Sequence, residues 1–92
     1  MPSVPSNGIA SGQGNTATVT SAVLIPARGD RKRVTVINGA AVVVALGPSG
    51  VTLANGALLA ANIGQALVFE TTAAIYAIAG SATPVSWMEE FS

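Results

Sequence analysis

The stretch TATVTSAVLI (residues 16–25) sets Thr16, Thr18 and Thr20 against Ala17, Val19 and Ser21. This period of two, rich in β-branched side chains, predicts a strand, and Pro26 ends it. RVTVI (33–37) and AVVVAL (41–46) flank Asn38-Gly39, a dipeptide suited to two-residue turns, and so predict a hairpin. GPSG (47–50) predicts a turn, VTL (51–53) a short strand, and Asn55-Gly56 a second tight turn. ALLAANIGQALVF (57–69) has the alanines and leucines of a helix, but Asn62 and Gly64 interrupt it. It reads as a loop followed by a strand over 65–70. AIYAIA (74–79) and PVSWMEEF (84–91) complete the set, split by Gly80 and Pro84. About seven short strands with regular turn signals predict an all-β fold, a single small antiparallel β-sandwich or jelly-roll-like domain.

The hairpin at Asn38-Gly39 makes a sharper prediction. A two-residue turn pairs Ile37 with Ala40, Val36 with Ala41 and Val34 with Val43. One face then carries Val34, Val36, Ala41 and Val43, the expected core. The other carries Arg33, Thr35, Ile37, Val42, Val44 and Leu46, apolar apart from its first two members. A central strand buried on both faces, or a subunit interface, explains this better than an apolar surface left open to water. Thr35, Ile37, Val42, Val44 and Leu46 are therefore candidate subunit-interface residues. Trp87 joins them, because it follows period two with Val85 as a core or interface anchor.

Composition changes the picture from fold to assembly. Of the 92 residues, 50% are hydrophobic and 9% charged, with four basic and four acidic side chains and zero net charge. An average soluble domain carries about 25% charged residues, so a free monomer of this kind has little to keep it in solution. An obligate subunit is the reading that fits. A membrane partner is not expected: the longest apolar runs, AAVVVAL (40–46) and AAIYAIA (73–79), are strand-sized, far below the ~20 residues of a spanning helix. MPSVPSNG at the start has neither a basic nor an apolar leader region, so no secretory signal is expected. Residues 1–15, uncharged and rich in Gly, Ser and Pro, predict an extended N-terminal arm that reaches onto a neighbour, with the β-domain spanning 16–92.

Candidate chemistry is sparse. With no cysteine and no histidine, disulfides, zinc sites and most nucleophile–base pairs are ruled out, and no cofactor is expected. Glu89 and Glu90 are neighbours on a predicted strand, so they point to opposite faces and cannot form a catalytic pair. Asp30 lies among Arg28, Arg31, Lys32 and Arg33, a setting for ion pairs rather than for a general acid. Tyr76 has no titratable neighbour in its apolar run. An enzyme is not expected.

PARGDRKRV (26–34) holds every basic residue of the chain and spells Arg28-Gly29-Asp30, a tripeptide read by adhesion receptors. Gly29-Asp30 is also a turn dipeptide, placed where the chain must reverse between two strands. The adhesion reading needs secretion and rests on a short motif, so the bend is preferred. Four basic residues without an aromatic beside them do not make a nucleic-acid groove, and none is expected as a partner. As a polar contact with a protein partner, Arg28, Arg31, Lys32 and Arg33 are the candidates, against a plain solvated loop tip.

The order of these segments resembles a widespread type of small virion protein of tailed phages. The resemblance spans residues 31–92 and rests on RVTVIN (33–38), VVVALG (42–47), NGALL (55–59), IYAI (75–78) and VSWME (85–89). This chain departs from that pattern in its alanine content, in Ala45-Leu46 where a tyrosine often sits, and in its uncharged arm. The resemblance implies a β-sandwich that binds the outside of a phage capsid as a cement or decoration protein, assembled in the host cytoplasm. Its implied partners are the major capsid protein and other copies of itself, as a dimer or trimer. A tail or fibre module that recognises a host surface is the alternative it leaves open.

Overall fold

The computed structural model describes residues 8–92, and among them it contains eight strands and no helix. They are β1 (Gly8–Asn15), β2 (Ala22–Ile25), β3 (Arg31–Asn38), β4 (Val44–Gly47), β5 (Ala57–Leu59), β6 (Ala66–Phe69), β7 (Ile75–Ala79) and β8 (Pro84–Phe91). The first sheet has the order β1-β8-β3-β6 and the second the order β2-β7-β4-β5. Every pairing within the two sheets is antiparallel.

One core is shared by both sheets. Val34, Val36 and Val85 enter it from the first sheet; Ile25, Val44, Leu46, Leu59 and Ile75 enter it from the second. Burying each such side chain contributes about 1.5–3 kcal/mol relative to leaving it in water. Leu67, Phe69 and Trp87 pack partly buried against the same cluster. The alternation expected in β3 holds, since Val34 and Val36 are fully buried between less buried neighbours.

The hairpin at Asn38-Gly39 does not form. A type I′ turn needs positive φ at both central residues. The only described residues with positive φ are Gly50 and Gly64. Instead the chain leaves the first sheet after Asn38 and enters the second at Val44. Asn38 is buried and ties this crossing together: its Nδ2 donates to Val42 O (2.7 Å) and Ala60 O (2.9 Å), and its Oδ1 accepts from Ala40 N (3.2 Å). Gly39 is needed for close approach, because a Cβ there would sit 2.6 Å from the Pro84 carbonyl oxygen.

This crossing reassigns the predicted faces. Val44 and Leu46 are core residues, and Val43 is exposed. Ala45 between them is buried too, so β4 is covered on both faces. The cover is the loop 48–56, whose Val51 packs with Ala45, Ile78 and Tyr76 in a second small cluster. The strand expected at 51–53 is part of that loop. Its turn at Asn55-Gly56 forms as predicted: Thr52 N donates to Asn55 Oδ1 (2.7 Å), and Gly56 N donates to Thr52 O (3.0 Å).

The N-terminal part of the chain also differs from expectation. Within the predicted arm 1–15, residues 1–7 lie outside the described residues, while Gly8–Asn15 is an edge strand in register with β8 from Gly8↔Phe91 to Asn15↔Pro84. The predicted strand 16–25 shortens to β2. Residues 16–21 carry the chain between sheets, anchored where Thr83 N donates to the buried Thr16 Oγ1 (3.1 Å) and Thr16 N donates to Thr83 O (3.0 Å).

Candidate functional site

The basic loop begins with the bend at Gly29-Asp30, where Arg31 N donates to Arg28 O (3.2 Å). The register of β3 against β8 then slips between Arg31 and Arg33. In a regular strand these two would share a face; the bulge puts them on opposite faces. Arg31 turns inward and is buried, Arg33 turns outward, and Lys32 is exposed.

Arg31 is fully spent on the fold. Its Nε donates to Thr71 O (2.7 Å), its Nη1 to Pro26 O (3.1 Å) and to Glu89 Oε2 (2.9 Å), and its Nη2 to Ala73 O. One guanidinium thus joins the loop before β3, the loop between β6 and β7, and β8. Arg31 can touch no partner, which corrects its place among the contact candidates.

Arg28 is also engaged. Its guanidinium lies 3.6 Å from the centroid of the Phe91 ring, its Nε donates to Asp30 Oδ1 (2.8 Å), and its Nη1 is 4.0 Å from Glu89 Oε1. The Arg-Gly-Asp tripeptide is therefore closed on itself by its own ion pair. Both groups are partly open to water, so the pair adds little stability, about 0–1 kcal/mol. Arg33 Nε stands 3.5 Å from Glu90 Oε2, close enough to pair by charge but outside hydrogen-bond geometry. Lys32 alone among the four has no carboxylate within ion-pair distance among the described residues. The charge cluster is mostly an internal staple.

The face of the first sheet opposite the core is different in character. Cross-strand rows run Ser11–Met88–Thr35–Val68 and Gln13–Ser86–Ile37–Ala66. Ile9, Val68 and Met88 are 66%, 55% and 46% exposed. A shallow depression of about 410 Å³ is lined by Ser11, Gly12, Gln13, Ile37, Ser86, Trp87 and Met88. The only charges in the rows of this face are Arg33 and Glu90, at one end. Ile9, Val68 and Met88 thus leave large apolar side chains open to water on this face.

Of the six interface candidates, Thr35 and Ile37 lie on this face. Val44 and Leu46 are core residues, and Val42 and Trp87 pack against that core. The indole of Trp87 lies against Gly12, where a Cβ would be 2.5 Å from Cζ2. Met88, Val68, Ile9 and Ser11 were missed. Period two in β8 carried a usable signal, since Val85 and Trp87 inward imply Ser86, Met88 and Glu90 outward. β1 carried none, because its inward positions are glycine and alanine.

Compared with known proteins, the chain matches no family model, no curated protein and no solved structure.

Proposed function

We propose that this chain is a structural virion protein, a cement or decoration subunit that binds the outside of a phage capsid and stabilises the shell. The observation that carries this reading is the nearly uncharged outer face of the first sheet with its exposed Ile9, Val68 and Met88, on a chain whose charges mostly pair with one another. Such a surface suits a permanent neighbour, and many weak contacts repeated around a shell multiply into firm attachment. The fold we propose is a jelly roll. The orders 1-8-3-6 and 2-7-4-5 support it, because they wind eight strands as two Greek keys, an architecture frequent among viral capsid domains. The role is structural and needs no catalytic group.

Binding of the purified chain to capsid shells that lack it tests the proposal. Val68→Lys and Met88→Lys place a charge on the outer face without touching the core, and each is expected to weaken shell binding about tenfold or more, about 1.4 kcal/mol. Lys32→Ala is expected to change it little. Unchanged binding by both face variants would move the contact elsewhere. A fibre module would instead be present in few copies per virion, and quantifying the chain against the major shell protein separates the two roles.

A further inference from the structure

We propose that β1 is a self-association edge, to which β1 of a second copy of this chain adds antiparallel about a two-fold axis. An edge strand turns the N–H and C=O of alternate residues away from its single partner, and proteins keep such edges from pairing by shortness, charge, proline or bulges. Among the described residues there are four edges: β1 and β6 in the first sheet, β2 and β5 in the second. β6 and β2 have four residues and β5 three; β2 is also broken by a register shift between Val23 and Ile25 and followed by Pro26. β1 has none of these protections. Its eight residues, GIASGQGN, run in unbroken register along β8 with no charge and no proline. Among the described residues nothing pairs with its other edge.

Three features favour a copy of the same chain as the occupant. β1 is uncharged and the chain is net neutral, so two copies meet without like-charge repulsion. The rings of Phe91 and Trp87 lie over Gly8 and Gly12 and stay only half-buried, so a strand beyond β1 closes over aromatic surface that is already in place. Among the described residues each copy offers one edge without such protection, so pairing of that edge with itself about a two-fold axis stops at two. The product is a continuous eight-stranded sheet whose outer face is twice as wide.

The inference does not rest on the virion reading, because its test uses the chain alone. Sedimentation velocity of the full chain is expected to show a concentration-dependent dimer. Ser11→Lys combined with Gln13→Lys puts like charges along the seam while leaving the core untouched, and should raise the dimer dissociation constant at least about tenfold with an unchanged circular dichroism spectrum. Val68→Lys, on the far strand β6, should leave the dimer intact even where it abolishes shell binding. A wild-type chain that sediments as a monomer up to its solubility limit would overturn the proposal and give the edge to a strand of another protein. Dissociation by Val68→Lys as complete as by the seam variant would overturn it in favour of face-to-face packing.

Discussion

Arg31 is the residue on which this end of the molecule most depends. Its guanidinium serves one carboxylate and three carbonyls, and its side chain has no exposed surface. Arg31→Met removes every one of those donors and leaves Glu89 only the more distant Arg28 (4.0 Å), so it should cost about 3 kcal/mol in urea unfolding. Arg31→Lys should not rescue it, because one ammonium cannot span partners on three segments. Adding Glu89→Leu should recover part of the loss, and no recovery would mean that the orphaned carbonyls dominate. None of this was legible beforehand. Counting along RKRV places Arg31 and Arg33 on one face, and a single bulge, which leaves no mark in the residue types, separates a buried anchor from a surface cation.

At the scale of elements, the residue types announced strands but not their partners. PVSWMEEF and IYAIA were legible as strands because alternation and flanking breakers agreed, and β8 and β7 form there. The crossing from β3 to β4 was not legible. Asn38-Gly39 carries the same letters whether it closes a hairpin or hands the chain to another sheet, and the crossing is held by the bonds that the Asn38 side chain makes to Ala40, Val42 and Ala60. Asn38→Ala tests this: it removes three hydrogen bonds from a buried site and should cost roughly 3 kcal/mol. If Asn38 merely tolerated its place, the urea midpoint would barely move. β1 was hidden for a related reason. Gly8, Gly12 and Gly14 read as a flexible arm, whereas rings donated by β8 supply the bulk that the strand itself lacks.

Over the whole molecule, the functional reading came from composition and not from periodicity. Few charges and no histidine or cysteine led to the expectation of contact rather than chemistry, and the contact proposed above uses the outer face of the first sheet. The order of strands carries one more consequence, for how the chain acquires its structure in time. β8 lies between β1 and β3, and β7 lies between β2 and β4, so the first four strands find their partners only once the last four are available. Neither sheet can close before β7 and β8 join it, and β1 to β4 make no pairing among themselves. Folding should therefore be a single event on the millisecond-to-second scale typical of sheets built from distant pairings. Trp87, the sole tryptophan, sits on β8 where both halves meet, so its fluorescence should follow that event in one phase coincident with circular dichroism. An earlier phase in the circular dichroism alone would show that part of the chain can order itself without waiting.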